Sequence, residues 1–259
     1  MDLGITGRTA LVCGASRGMG LAIARQLARE GVDVTMVART EAPLLAAAAA
    51  ISSESAVRVA PVAGDITTQA GRAAALAACP QPDILITNAD GPRPGDFRDY
   101  QRHDWMAAID ALMLAPIELI RATIDGMIER KFGRIVNISS RSVKIAQADL
   151  ALSNGARSGL VGFTAGLSRQ VVRHNVTINN LLPGIFATDA QRRHVTDLAA
   201  QTGRSFEDIW NERGAGNPAG RFGEPEEAAA YCAFLCSAQA GFVTGQNLLI
   251  DGGSYPGTF

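Results

Sequence analysis

A glycine-rich loop near the beginning of the chain has residue types suited to binding a diphosphate. The loop reads Gly14-Ala15-Ser16-Arg17-Gly18-Met19-Gly20. Glycine permits the tight turn and the close approach of backbone to phosphate that a dinucleotide site requires. A helix that begins in such a loop adds free N–H groups and the positive end of its dipole. The loop therefore predicts a dinucleotide site, with a purely structural turn as the alternative.

Two arginines indicate which dinucleotide binds. Sites for NAD place an Asp or Glu at the end of the second strand, where it binds the ribose 2′-hydroxyl, whereas an Arg there accommodates the 2′-phosphate of NADP. Here the second predicted strand is followed directly by Arg39, and Arg17 lies within the glycine loop. Guanidinium groups match the geometry of phosphate. The sequence predicts NADP(H), unless both arginines are solvated surface charges.

Short β-rich runs alternate with longer helical patterns along the chain, as in repeated βαβ units. The predicted strands are Thr9–Cys13, Val34–Ala38, Arg58–Val62, Ile84–Asn88, Arg134–Ser139, Thr177–Leu182 and Asn247–Ile250. The predicted helices are Met19–Glu30, Leu44–Ile51, Gly71–Ala78, Trp105–Arg130, Ser153–His174 and Glu226–Ser237. Apolar runs such as Ile84–Ile86 indicate strands buried on both faces. We predict one domain, residues 1–259, of the α/β class, with a doubly wound parallel sheet of seven strands and helices on both faces.

Two features interrupt this alternation. The segment 190–218, between the sixth strand and the last helix, is polar and contains Gly203, Gly214 and Gly216. We interpret it as a mobile lid over a substrate pocket. Pro116 lies inside a long helical pattern and predicts a kink there, because proline cannot donate the helical hydrogen bond.

Composition and charge exclude several classes of partner. The formal net charge of -1 gives no basic footprint for nucleic acid or for an anionic membrane surface. No apolar run is long enough to span a bilayer, and residues 1–6 lack a signal-peptide pattern, so we expect a cytoplasmic protein. Cys13, Cys79, Cys232 and Cys236 form no CxxC pair or cluster with histidine. We therefore predict no metal site and cysteines that pack as small apolar side chains.

Further motifs follow the glycine loop in order. They are Gly64-Asp65-Ile66, Asn88-Ala89-Asp90-Gly91, Gly133-Arg134-Ile135-Val136-Asn137-Ile138-Ser139-Ser140, Pro183-Gly184-Ile185 with Thr188, Arg221-Phe222-Gly223-Glu224-Pro225-Glu226-Glu227, Thr244-Gly245-Gln246 and Asp251-Gly252-Gly253. With these residues the chain resembles the short-chain dehydrogenase/reductase family from the first strand to Gly253. The resemblance implies a Rossmann fold, a nicotinamide cofactor, a small-molecule substrate and a homo-oligomer, commonly a tetramer. The motif with Asp90 departs from the family's Asn-Asn-Ala-Gly turn.

The motifs also imply which residues bind the cofactor. These residues are Gly14, Ser16, Arg17, Gly18, Met19, Gly20, Arg39, Asp65, Ile66, Asn88, Ala89, Arg157, Pro183, Gly184, Ile185 and Thr188. In the family, the equivalent of Asp65 binds adenine, and the segment from Pro183 to Thr188 contacts nicotinamide.

The family's catalytic residues are matched only in part. Its members use a Ser, a Tyr thirteen residues later and a Lys four residues after that Tyr. The Tyr gives a proton to the substrate oxygen while hydride is transferred to the substrate carbon. Ser140 matches the serine, but the next two positions hold Ser153 and Arg157. Leu112 stands where an Asn is expected. The chain thus resembles a divergent branch without the catalytic Tyr and Lys, similar to ketoacyl-carrier-protein reductases.

These replacements leave the proton donor open. A serine hydroxyl is a much weaker acid than a phenol, and arginine stays protonated. Arg157 can hold the nicotinamide ribose or stabilise a developing oxyanion. Lys144, four residues after Ser140, is a candidate acid or cation unless it is a solvated loop lysine. Two functions follow: an NADPH-dependent reductase of a small carbonyl or conjugated enone, or a catalytically inactive NADP(H)-binding sensor, scaffold or partner subunit.

Overall fold

Seven parallel strands form one sheet in the computed structural model, which describes residues 1–258. The strands are β1 Thr9–Cys13, β2 Asp33–Ala38, β3 Val59–Ala63, β4 Ile84–Thr87, β5 Gly133–Ile138, β6 Val176–Pro183 and β7 Asn247–Ile250. Their spatial order is β3-β2-β1-β4-β5-β6-β7. The order reverses between β1 and β4, and such a sheet opens a ligand crevice at the carboxyl ends of its strands. The predicted doubly wound Rossmann fold is confirmed, with strand bounds shifted by at most one residue.

Helices cover both faces of the sheet. They are α1 Gly18–Arg29, α2 Glu41–Glu54, α3 Gln69–Ala78, α4 Arg102–Ile109, α5 Ala115–Glu129, α6 Ala151–Val171, α7 Asp189–Thr202, α8 Phe206–Ala215 and α9 Pro225–Cys236. One face packs against α1, α2 and α9 in a core that includes Val12, Ile23 and Leu44. The other face packs against α3, α5 and α6 in a core that includes Leu11 and Leu119. Leu11 and Val12 enter different cores because successive side chains of a strand point to opposite faces.

The predicted helix Trp105–Arg130 is wrong as a single element. Between α4 and α5, residues Asp110–Leu114 form a π-helical turn. Pro116 lies in the first turn of α5, where its missing N–H costs no hydrogen bond. The helix is thus interrupted just before the proline that predicted a kink, and π turns of this kind often occur at functional sites. Leu112, within the turn, lines the main cavity.

The segment 190–218 contains α7 and α8, which have no counterpart among the predicted helices. Each buries one large apolar side chain, Val195 in α7 and Ile209 in α8, so neither helix carries a strong apolar period. The ends of α7 do carry helix signals, since Thr188 Oγ1 caps its first turn and Gly203 ends it with a φ of 68°. The predicted lid is therefore helical, and its mobility stays a prediction.

Hydrogen bonds between buried polar side chains connect β4 to β7. Thr87 Oγ1 donates to Asn137 Oδ1 over 2.6 Å, and Asn137 Nδ2 donates to Asn180 Oδ1 over 2.9 Å. Asn180 Nδ2 donates in turn to Thr164 Oγ1 of α6 and to Asn247 Oδ1. Polar groups that satisfy one another inside a core hold their elements in one relative position. The bonds thereby hold β4, β5, β6 and β7 in one relative position.

Candidate cofactor and substrate site

The glycine loop joins β1 to α1 in a conformation that requires glycine. Gly14 and Gly18 have φ values of 62° and 57°, which residues with a Cβ rarely adopt. A Cβ on Gly20 would collide with the carbonyl oxygen of Gly14. Arg17, the N-cap residue of α1, makes no side-chain cap, so the positive helix end is available to an anion. The loop forms a cradle that fits the diphosphate of a dinucleotide.

A cavity of about 650 Å³ extends from this loop along the ends of β1, β2 and β4. The predicted cofactor residues that line it are Gly14, Ser16, Arg17, Gly18, Met19, Arg39, Asp65, Ile66, Asn88, Ala89, Arg157 and Thr188. The cavity therefore brings together residues from the glycine loop, the ends of β2, β3 and β4, helix α6 and the start of α7. Such a concave site with few convergent polar groups is typical of cofactor binding.

Arg17 and Arg39 line this cavity and share one acidic partner. Arg39 Nη2 lies 3.3 Å from Asp90 Oδ2, and Arg17 Nη2 lies 3.7 Å from the same oxygen. The three side chains come from the loops after β2, β1 and β4, which are adjacent in the sheet. About half of the Asp90 side chain is exposed, so solvent screens both pairs and they contribute little stability. The two cations are nonetheless close enough to bind a single anionic group.

Arg157 contributes a buried cation to the same cavity. Its Nε donates to Ser153 Oγ over 3.1 Å, and its Nη1 donates to the backbone oxygen of Ile138 over 3.0 Å. Burial lowers the pKa of Arg157 from 12.5 to about 10, so the group stays charged at neutral pH. Within residues 1–258 no carboxylate pairs with it, and Nη2 makes no hydrogen bond. Nη2 lies beside Gly91, where an added Cβ would approach it to 3.6 Å.

Comparison with known proteins assigns this arrangement to a family. Residues 14–255 match the family described as Enoyl-(Acyl carrier protein) reductase. Gluconate 5-dehydrogenase of Gluconobacter oxydans (strain 621H) is 34% identical over 253 residues, covering 96% of this chain and 95% of the relative. The chain belongs to the short-chain dehydrogenase/reductase family.

Other members of the short-chain dehydrogenase/reductase family are similar along nearly their whole length. The NADPH-dependent reductase BacG of Bacillus subtilis (strain 168) is 32% identical over 254 residues, covering 95% of this chain and 97% of the relative. The crystal structure of L-sorbose reductase from Gluconobacter frateurii, complexed with NADPH and L-sorbose, is 29% identical with a TM-score of 0.92. That comparison covers 97% of this chain and 98% of the sorbose reductase.

Three candidate catalytic residues of this family member, Ser140, Lys144 and Ser153, lie outside the cavity lining among the described residues. Ser140 lies two residues after the end of β5, and its Oγ accepts a hydrogen bond from the backbone N–H of Ser142 over 3.1 Å. Lys144 is exposed, with its Nζ 5.5 Å from the ring centroid of Tyr255. The short helical turn Arg141–Val143 places Lys144 away from Arg157's cavity, so the structure does not bring these two cations together.

Four predicted cofactor residues also lie outside the lining within the described chain: Gly20, Pro183, Gly184 and Ile185. Pro183 is the last residue of β6, and the N–H of Gly184 donates to the carbonyl oxygen of Ile250 over 2.9 Å. A Cβ on Gly184 would approach the Cα of Asp251 to 2.8 Å. This segment packs β6 on β7, and its contact with nicotinamide stays a prediction.

Tyr100 is a cavity residue that the sequence patterns did not indicate. Its hydroxyl donates to the carbonyl oxygen of Arg93 over 3.2 Å, and its ring packs edge-on against Trp105. Burial, followed by the charge of Asp149, raises the pKa of Tyr100. A phenol with a raised pKa and an occupied hydroxyl is a poor proton donor. Tyr100 precedes α4 in a loop without a recognised spacing, so no motif could have identified it.

The helical segment 190–218 begins at the cavity, and its two helices contact each other. Thr188 and the first residues of α7 line the cavity. Arg213 of α8 lies 3.0 Å from His194 Nε2 of α7. Burial and then the charge of Arg141 lower the pKa of Arg213.

Cysteines and possible metal ligands are further groups in the described chain that could take part in chemistry. All four cysteines are free and buried, and burial raises the pKa of Cys13 to about 12. Residues 1–258 contain no cluster of His, Cys, Asp or Glu that could hold a metal ion. No helix among them is long and apolar enough to cross a membrane.

Proposed function

We propose that this protein is an NADP(H)-dependent oxidoreductase that transfers hydride to a small carbonyl or conjugated enone at a site without the family's Tyr and Lys. The cofactor is NADP(H), as in the similar reductase BacG and L-sorbose reductase. The observation that carries the proposal is Arg157, a buried cation on the cavity that begins at the glycine loop and has no carboxylate partner within residues 1–258. Such a charge is costly unless it serves an anionic ligand or transition state.

The cavity residues fit the parts of the cofactor. The glycine cradle and the N-terminus of α1 suit the diphosphate. Arg17 and Arg39 provide the two guanidinium groups for a 2′-phosphate. Asp65 and Ile66, which follow β3 at the cavity wall, are placed to contact the adenine. When bound, the nicotinamide supplies the hydride.

Arg157 supplies the electrostatic part of the chemistry. Hydride addition to a carbonyl or to the β-carbon of an enone places negative charge on the substrate oxygen. A buried cation held in a fixed position stabilises that charge more strongly than a solvated cation does. Arg157 keeps its proton at neutral pH because its pKa is about 10. It therefore acts as a cation, and an enone substrate suits it best, because the enolate formed is protonated later on carbon from solvent.

Two serines complete the proposed site. Ser153 Oγ accepts from Arg157 Nε and so acts as a positioning residue for the guanidinium. Ser140, just outside the cavity lining, accepts a hydrogen bond at Oγ from the backbone N–H of Ser142, and its hydroxyl hydrogen is left to form a hydrogen bond with the oxygen of a substrate that extends beyond the lining. The exposed Lys144 is assigned no step. The catalytically inactive alternative finds no support among the named relatives, which are dehydrogenases and reductases.

We also propose that the chain forms one domain and that residues 190–218 are the lid over the substrate pocket. The start of α7 lines the cavity, so a displacement of residues 190–218 would open the cavity.

Met106, Leu114 and Phe163 are large exposed apolar side chains in α4, the π turn and α6. Exposed apolar side chains on neighbouring elements favour association of identical subunits, and we propose a homotetramer with two-fold axes.

The test is NADPH oxidation against a panel of ketones, quinones and enones. We expect turnover with at least one enone, reduced at least tenfold in Arg157→Met. Arg169→Met, an exposed arginine of the same helix, is the matched control and should leave turnover unchanged. A protein that binds NADPH yet oxidises it with no member of the panel, or an Arg157→Met variant of full activity, would contradict the proposal.

A further inference from the structure

Asp90 is the acidic residue that this chain places in the turn after β4. It lines the cofactor cavity together with the two arginines proposed to bind the 2′-phosphate. Its Oδ2 lies 3.3 Å from Arg39 Nη2 and 3.7 Å from Arg17 Nη2. The 3.3 Å contact also has hydrogen-bond geometry. One carboxylate oxygen therefore lies between two guanidinium groups.

Within the described chain, Asp90 is the sole acid paired with either arginine. The same two cations are the proposed partners of the 2′-phosphate, which carries nearly two negative charges. A carboxylate and a phosphate repel each other at such short range, although water and salt weaken the effect at an exposed site. The arginines cannot serve both anions fully at once.

We propose that Asp90 is a cofactor-specificity residue that competes with the 2′-phosphate of NADPH for Arg17 and Arg39. This inference rests on the proposed function, which assigns those arginines to NADP(H). In the free protein Asp90 holds both guanidinium groups near the cavity, and it loses their contacts when the phosphate binds. The carboxylate thereby narrows the preference for NADPH over NADH.

A second consequence concerns the cofactor without the phosphate. In NAD-specific sites a carboxylate at the end of the second strand accepts hydrogen bonds from the ribose hydroxyls. Arg39 occupies that end here, but Asp90 lies 3.3 Å from its guanidinium and lines the same cavity. Asp90 can accept a hydrogen bond from a free 2′-hydroxyl. Loss of the Asp90 carboxylate should therefore raise the affinity for NADPH and leave the affinity for NADH equal or lower.

Calorimetric titration of the full chain with NADPH and with NADH tests the proposal without a substrate. Asp90→Asn keeps the shape of the side chain and removes its charge. Asp125→Asn removes the same charge from an exposed position on α5 and is the matched control. We expect Asp90→Asn to bind NADPH at least threefold more tightly, with NADH affinity equal or lower, and Asp125→Asn to match the wild type. The threefold gain should shrink as salt is added.

The variant Asp90→Asn in an Arg39→Ala background completes the test. If Asp90 acts through Arg39, the gain in NADPH affinity should be smaller there than in the wild-type background. An unchanged or weaker NADPH affinity in Asp90→Asn, or an equal gain for NADPH and NADH, would overturn the role of Asp90. Wild-type protein that binds neither cofactor would instead refute the proposed function itself.

Discussion

Replacing Arg157 by methionine should weaken the binding of NADPH while changing the stability of the fold only slightly. Arg157 is 8% exposed and, within residues 1–258, its guanidinium has no carboxylate partner, so burial of the charge costs free energy. The lowering of its pKa from 12.5 to about 10 corresponds to about 3 kcal/mol of disfavoured charging. Its hydrogen bonds to Ser153 and Ile138 offset this cost, at about 1.5–3 kcal/mol for each bond to a charged group. Methionine removes both terms and buries an apolar side chain.

The opposing terms nearly cancel. We expect Arg157→Met to change the free energy of unfolding by less than about 2 kcal/mol, and Tm by less than about 6 °C for a chain of this size. NADPH affinity should fall at least tenfold, about 1.4 kcal/mol, because the cation that faces the cavity is lost. Thermal unfolding followed by circular dichroism and calorimetric titration with NADPH provide the two measurements.

Arg134 is the matched control for a buried arginine outside the cavity. It is fully buried near the beginning of β5, and the cofactor crevice lies at the opposite ends of the strands. Its guanidinium makes four hydrogen bonds, including one to the carbonyl oxygen of Ser237 and two to Asn175. Arg134→Met should therefore lower Tm far more than Arg157→Met and leave NADPH affinity unchanged while the protein stays folded. A Tm loss above about 10 °C in Arg157→Met, or unchanged NADPH binding, would refute the reasoning.

Four further predictions follow from the site and its surroundings. NADPH should bind at least tenfold more tightly than NADH, and Arg39→Ala should remove most of this difference in calorimetry; equal wild-type affinities would contradict the assignment of the 2′-phosphate site. Ser153→Ala should lower turnover with an active substrate less than tenfold in steady-state kinetics, since Ser153 only positions Arg157, whereas abolished turnover would identify it as the proton donor. Arg221 lowers the pKa of Glu227 to about 2, so this exposed pair adds stability at pH values above 4.5 and loses it as pH falls toward 2. Glu227→Gln should therefore reduce Tm slightly at pH 7 and progressively less below pH 4.5, and a constant difference in calorimetric scans would contradict the pairing. Light scattering should give four times the monomer mass of 27.1 kDa at micromolar concentration, and a monomer mass would exclude the proposed tetramer.

The central strands β4, β5 and β6 could be predicted closely because they are buried at every position, which favours apolar residues on both faces. Ile84–Thr87, for example, is buried at every position. Helices α7 and α8 could not be predicted in this way, because each rests on few buried side chains. The local signals that remain are caps, such as Thr188 before α7 and Ser205 before α8, whose hydroxyls accept first-turn N–H groups. Capping residues without an apolar period are too common in loops to define a helix alone.

The glycine loop, Arg17 and Arg39 could be predicted from local sequence, because the features that matter lie within one βαβ unit. The pairing of both arginines with Asp90 could not, because Arg39 and Arg17 lie 51 and 73 positions before Asp90 in the chain. Sheet order brings them together: β2 and β4 flank β1, so the loops after all three strands meet at one place.

Helical spacing predicts that Ser153 and Arg157 lie close together but not how their side chains interact. Residues four apart lie on one face of a helix, which places these two side chains together and leaves their relation undefined. In the structure, the Nε of the arginine donates to the serine oxygen, and the remaining guanidinium nitrogens reach the end of β5 and the cavity beside Gly91. A lysine has no planar fork with which to make these contacts simultaneously. The serine and the arginine therefore act as one unit, in which the small residue makes room for and orients the large cation.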